Sequence, residues 1–177
     1  HREPDWQEWE RELEQELALH KQDIEQQMDT LRYWQQAQVL HLLAQDLAGD
    51  LTVERLADHL SALADKTISA VLKTCWDNLP SKHRPEPCFA VIAYGKLGSK
   101  ELGYASDLDL VFVFDDQQDR DEHTSKIYAR LAQRMLTWLT STTAAGALYP
   151  VDTRLRPNGE AGLLVTSLEA FQLYQTQ

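Results

Sequence analysis

Gly95-Lys96-Leu97-Gly98-Ser99-Lys100-Glu101-Leu102-Gly103-Tyr104-Ala105-Ser106-Asp107-Leu108-Asp109 is the stretch on which the reading of this chain turns. It lies between two apolar runs of strand length. Cys88 to Ala93 comes first and is closed by Tyr94-Gly95; Leu108 to Phe114, rich in Val, Leu and Phe, comes second. Two common glycine motifs do not fit. A Walker A loop needs Gly-Lys-Ser/Thr after a fixed spacer, but Ser99 precedes Lys100. A dinucleotide fingerprint needs Gly-x-Gly-x-x-Gly, and glycines at 95, 98 and 103 do not supply it. What remains is a glycine turn after a strand, then Asp107 and Asp109 at the head of the next. Side chains alternate along a strand, so the two carboxylates share a face. Held together at the head of an apolar strand they repel, and a divalent cation relieves that repulsion. Hard carboxylate oxygens suit Mg²⁺.

A third carboxylate lies further on, in Val151-Asp152-Thr153-Arg154-Leu155-Arg156-Pro157. Ala147 to Leu155 reads as a third strand, with Pro150 marking an edge or a bulge. On that reading Asp152, Arg154 and Arg156 alternate with Val151, Thr153 and Leu155 and point one way. A salt-bridge ladder is one explanation. Beside two aspartates and a glycine turn, a phosphate site is the better one: three carboxylates hold metal, and Lys96, Arg154 and Arg156 meet polyphosphate charge. That is a layout for two-metal attack at phosphorus. Asp115 to Asp119 reads as a polar loop, Glu122 to Thr143 as a helix with Ile127, Leu131, Met135, Leu136 and Leu139 inward, and Ser167 as the cap of a helix from Leu168 to Tyr174.

The rest of the chain is different in kind. Of seven glycines only Gly49 precedes residue 95, and nearly all of the net charge of -11 falls within residues 1–65. Residues 5–47 carry a helical pattern, with Pro4 suited to its first turn and a stripe of Met28, Leu31, Trp34, Val39, Leu42, Leu43 and Leu47. Gly49 ends it. Thr52 caps a second helix, on which Leu56, Leu60, Leu63, Ala64, Ile68, Val71, Leu72 and Trp76 recur. Pro80, Pro85 and Pro87 make a linker. The organisation expected is a helical segment over 1–80, a Pro-rich linker over 81–87 and an α+β core over 88–177.

Several functions are excluded or disfavoured. Two cysteines, Cys75 and Cys88, allow neither a disulfide framework nor a four-cysteine zinc site, and a reducing cytoplasm is the simplest setting. The six histidines, His1 among them, show no metal-ligand spacing. An acidic chain without a basic run is a poor partner for nucleic acid. No apolar run is long enough for a membrane helix, and the first residues lack the apolar stretch of a signal peptide.

The motifs resemble a known family. Gly95 followed at a distance by Asp107-x-Asp109 is similar to the signature of the DNA polymerase beta-like nucleotidyltransferases. More closely, Tyr94 to Gly98, Glu101 to Tyr104, Ser106 to Leu110, Val151 to Pro157, Ala161 to Val165 and Ser167 to Gln175 resemble the glutamine synthetase adenylyltransferases. That family carries two such domains, one attaching AMP to a tyrosine of glutamine synthetase and one removing it by phosphorolysis. The chain is too short for both, and the resemblance implies a fragment cut short at Gln177. Tyr94 before Gly95, Leu108 between the aspartates and Thr153 after Asp152 resemble the adenylylating half.

The resemblance implies a DNA polymerase beta-like core, ATP as substrate, two Mg²⁺ ions, glutamine synthetase as protein substrate and a PII-type nitrogen-signalling protein as regulator. Asp107 and Asp109 would bridge the ions. Asp152 would complete the second ion and help activate the tyrosine hydroxyl. The Gly95 backbone and the Ser106 hydroxyl would approach the triphosphate, with Lys96, Arg154 and Arg156 as further nucleotide contacts. Phosphorolytic removal of AMP and a catalytically silent nucleotide-binding module are the alternatives. Ser99 stands where the family commonly has Gly, which reduces backbone freedom there.

Overall fold

A computed structural model describes residues 3–80, 82–116 and 122–177. His1, Ser81 at the start of the expected linker, and Gln117 to Asp119 of the expected polar loop lie outside them.

Three helices come first: α1 (Trp6–Leu19), α2 (Ile24–Leu47) and α3 (Val53–Asp77). The single helical pattern over 5–47 is therefore two helices. The break falls at His20 to Asp23, where the Asp23 carboxylate accepts from the Gln26 amide at 3.1 Å and starts α2 afresh. Pro4 is not in a first turn either: Asp5 is the cap of α1, its carboxylate accepting from Glu8 N–H. Gly49 takes φ 76° just past α2, and Thr52 Oγ1 accepts from the Arg55 amide to cap α3, both as the sequence indicates. Leu31, Trp34 and Leu42 are buried as expected, but Leu47 is 80% exposed. It belongs to the opposite face of α2, with Tyr33 and Leu40.

The second half alternates strand and helix: β1 (Phe89–Tyr94), the one-turn α4 (Gly95–Gly98), β2 (Leu108–Phe114), α5 (Glu122–Thr140), β3 (Val151–Asp152), β4 (Val165–Ser167) and α6 (Leu168–Gln175). The fold is α+β with a small mixed sheet. β2 is its centre. It pairs antiparallel with β1 on one side and, on the other, parallel with β3 at its start and with β4 at its end. The third strand is much shorter than expected. Pairing stops at Asp152, and Arg154 and Arg156 lie in turns, so the alternation proposed for residues 151–156 does not describe them.

The two faces of β2 divide the protein. Leu108, Leu110 and Phe112 are fully buried in the main core, shared with Leu31 and Leu42 of α2, Leu63 and Val71 of α3, and Leu131, Met135 and Leu139 of α5. Val111 and Val113 point the other way, onto Phe171 of α6. Asp109 has the parity of Val111 and Val113, so the backbone pleat places it on the α6 face, away from the helices.

The join between the halves is clamped. Asp116, just past β2, accepts from Tyr128 Oη at 2.8 Å and Arg84 Nη1 at 3.2 Å and lies 2.6 Å from His83 Nε2, while Trp76 Nε1 donates to Pro85 O. Burial pushes the Asp116 carboxyl up, but the bonds from His83, Tyr128 and Arg84 outweigh it and hold it below the usual carboxylate range.

Candidate active site

The site is built where β1 ends. The chain leaves Tyr94 through Gly95, whose φ is 58°, and enters α4. A β-carbon on Gly95 would run into Asp109 Oδ2 and stand 3.3 Å from Asp109 Cγ. The Asp109 carboxylate therefore lies against the bare Cα of Gly95, and glycine is required twice over, for its dihedral and for the space. Ser99 is not strained by replacing a glycine. It takes φ -87°, and the left-handed residue is its neighbour Lys100 at 58°. Ser99 Oγ donates toward the Gly95 carbonyl at 3.1 Å, which closes the α4 turn.

Between α4 and β2 the loop is held by its own groups. Ser106 Oγ accepts from the Gly103 amide at 2.9 Å, and Tyr104 Oη donates to Asp46 Oδ2 at 3.0 Å, tying the loop tip to the end of α2. Burial, then the bond to Asp46, push the Tyr104 phenol up to about 12. Ser106 is thus a turn residue as well as a candidate nucleotide contact. Asp107 is exposed one residue before β2, and Lys96 is exposed on α4.

Asp152 arrives from the far end of the chain. In the β2–β3 ladder Leu108 partners Val151 and Asp109 partners Asp152. Neighbouring strands lie about 4.8 Å apart, so the two aspartates are side by side. A cleft of about 400 Å³ opens there, lined by Asp107, Asp152, Thr153, Arg154, Arg156 and Glu160 among others.

The two arginines have different fates. Arg154 folds back on Asp152: Nε is 3.0 Å from both carboxylate oxygens, Nη2 is 2.6 Å from Oδ2, and the Arg154 amide donates to Oδ1 at 2.8 Å. Arg154 holds the Asp152 carboxyl down at about 2. Arg156 instead donates to Thr153 O and Oγ1 and more distantly to Glu160 O and Gly162 O. It ties the loop after β3 together from within.

As placed, no three His, Cys, Asp or Glu side chains among the described residues form a cluster that could hold a metal ion. The donor chemistry nevertheless fits a hard divalent cation. Asp109 is seated over Gly95, Asp152 is its register partner, Asp107 lines the cleft, and the Asp152 oxygens are taken by Arg154.

Sequence reasoning missed what positions β3. Arg32 of α2 is fully buried and donates to Gly146 O at 2.6 Å, Trp138 O at 2.7 Å, Ser141 O at 2.8 Å and Met28 O at 3.1 Å. Gln36 donates to Ala145 O, and Thr143 Oγ1 donates to Asp29 Oδ1 at 2.6 Å. The loop from α5 to β3 is therefore fastened to the helical segment, and the available signal was a lone arginine among the buried positions of α2.

The whole chain, residues 1–177, matches the family described as glutamate-ammonia ligase adenylyltransferase. The chain belongs to that family. It is 55% identical over 174 residues to a bifunctional glutamine synthetase adenylyltransferase/adenylyl-removing enzyme of Aromatoleum aromaticum, an alignment covering 98% of this chain and 18% of that protein. Its identity to family members of the same description is 53% in Chromobacterium violaceum, over 97% of this chain and 19% of the relative, and 53% in Neisseria meningitidis serogroup B, over 98% and 19%. The chain thus spans less than a fifth of the length of these curated relatives. No helix among the described residues is long and apolar enough to cross a membrane.

Proposed function

We propose that this chain carries the adenylylating centre of its family, transferring AMP from ATP to a tyrosine of glutamine synthetase and releasing diphosphate. The observation that carries the reading is the register of Asp109 with Asp152 beside the Gly95 turn. In the transfer, the tyrosine oxygen bonds to the α-phosphorus. The bond from that phosphorus to the bridging oxygen breaks, and diphosphate leaves with the electron pair. The tyrosine proton passes to Asp152 or to water. Asp107, Asp109 and Asp152 would hold Mg²⁺, two ions on the superfamily pattern, which neutralises charge on the phosphates when bound. Ser106 Oγ, already accepting from Gly103, keeps its own hydrogen for a phosphate oxygen. Lys96 and Arg154 supply mobile positive charge, whereas Arg156 shapes the loop that bears Arg154.

A cytoplasmic setting and a PII-type regulator follow from the same reading, which places the chain in the control of nitrogen assimilation. The second reading is phosphorolytic removal of AMP, favoured by the names of the relatives, which carry both activities. Labelled ATP with unmodified glutamine synthetase tests the first; orthophosphate with the AMP-modified enzyme tests the second. Labelling without orthophosphate-dependent ADP release supports adenylylation, and the reverse pattern overturns it.

A further inference from the structure

We infer that Arg154 is a displaceable internal cation: it occupies the Asp152 carboxylate in the cation-free protein, and nucleotide polyphosphate draws it away and releases Asp152 to a divalent ion. The inference rests on the metal-dependent reading of this site and adds an order of events to it.

Three observations carry it. First, one residue satisfies nearly the whole carboxylate. Asp152 receives the Arg154 guanidinium on both oxygens and the Arg154 amide on one. A cation cannot take those lone pairs while the fork is in place. Second, the arginine is held by nothing else among its described hydrogen bonds. Its side chain is 68% exposed, against 24% for Asp152, and it follows the last paired residue of β3. On the arginine side the pair faces water, which competes for the guanidinium and leaves it able to exchange partners. Third, the neighbouring arginine is built differently. Arg156 is tied to carbonyls of Thr153, Glu160 and Gly162. The loop is thereby stiffened around one arginine while the other is left free to swing. Arg154 already lines the cleft, with Asp107, Asp152 and Thr153, so a short movement takes it from the carboxylate to a ligand there. A triphosphate entering that cleft offers the guanidinium several oxyanions in place of one carboxylate. Asp152 is then exposed beside its register partner Asp109 at the moment nucleotide arrives.

The test is Mn²⁺ binding to the 177-residue chain, followed by electron paramagnetic resonance, with and without α,β-methylene-ATP. Arg154→Gln should tighten Mn²⁺ binding without nucleotide by about two- to five-fold, the factor an exposed ion pair supports. It should also shrink the further tightening that the nucleotide analogue gives the wild type. Removing a positive charge could act at a distance, so the double variant Asp152→Asn/Arg154→Gln decides: the arginine substitution should have no effect once Asp152 is gone. An unchanged Mn²⁺ affinity in Arg154→Gln, or the same gain in the Asp152→Asn background, overturns the gate and leaves the metal site standing. Mn²⁺ binding unaltered by both Asp109→Asn and Asp152→Asn removes the site itself, and the gate with it.

Discussion

Asp109 of β2 and Asp152 of β3 are direct partners in a parallel ladder only two residues long. So short a ladder contributes little to stability, but it fixes which carboxylate stands beside which. The register is set from outside: the Leu108 amide donates to Pro150 O at 2.9 Å, and Tyr149 N–H donates to Leu139 O at 3.0 Å, just before β3.

Replacing either carboxylate of the Asp107/Asp109 pair tests the chemistry. Asp107→Asn and Asp109→Asn should each lower AMP transfer by more than about 100-fold, above the loss seen when a group merely orients a metal ligand. Far-UV circular dichroism and Tm should remain near wild type. Transfer assays on both variants check this, and a near-normal rate in either removes that residue from the catalytic set.

Gly95 and Gly49 separate dihedral from contact. Both have positive φ, so alanine costs about 1–2 kcal/mol at either through the left-handed backbone. Only at Gly95 does the new methyl meet Asp109, while Gly49 has no atom within 4 Å. Denaturant melts should show Gly95→Ala the less stable of the two. Activity should fall sharply in Gly95→Ala and stay unchanged in Gly49→Ala.

The sequence carried the local parts of this arrangement. Strand β2, the caps Thr52 and Ser167 and the stop at Gly49 all follow from alternation and side-chain capping, which act over a few residues. The length of β3 did not, because only Leu108 and Asp109 offer it pairing groups, and Val165 to Ser167 take the far end of the same edge. The partition of Arg154 and Arg156 was lost with it. A period-two pattern without a partner strand is no evidence of a common face. The helical break at His20 to Asp23 was signalled by Asp23, but the surrounding periodicity masked it.

Arg32 is a buried charge hydrogen-bonded to carbonyls, with the Asp29 carboxylate near enough to favour its charged form. Arg32→Met removes a donor from each of those carbonyls, of which Gly146 O keeps the Thr143 amide, and should cost about 1–3 kcal/mol, the range for buried polar groups stripped of a partner. Because Gly146 and Ser141 lead to β3, transfer should also fall, and Arg32→Lys should recover part of each. Urea melts together with KM and kcat measure the split. Loss of stability with unaltered kinetics in the folded fraction would limit Arg32 to the core.

Asp116 gives a pH signature. Its folded pKa lies below the ordinary value, so the stability it contributes is complete above about pH 4 and is lost as pH falls through the lower, folded pKa. Asp116→Ala strands Arg84, His83 and Tyr128 and should cost about 3 kcal/mol at neutral pH. Its stability should fall less steeply than that of wild type on acidification below pH ~4. Denaturant melts across that range check both the size and the slope.

The pairing of β2 also orders the folding of the chain. β1 and β2 are joined by the one-turn α4 and the loop that follows it and pair antiparallel, the least distant of the β2 pairings in sequence. β3 reaches β2 only after α5 has been formed and crossed, and β4 only after the loop beyond it. Contacts distant in sequence form late, because the intervening chain must be closed first. The Tyr94–Asp109 half of the site is thus an early product of folding and the Asp109–Asp152 half a late one. In pulse-labelled hydrogen exchange the Leu108 amide, bonded to Pro150, should gain protection after the β1–β2 amides. Until it does, the chain holds a glycine turn and one seated carboxylate, and the second carboxylate reaches its place only with the distant pairings.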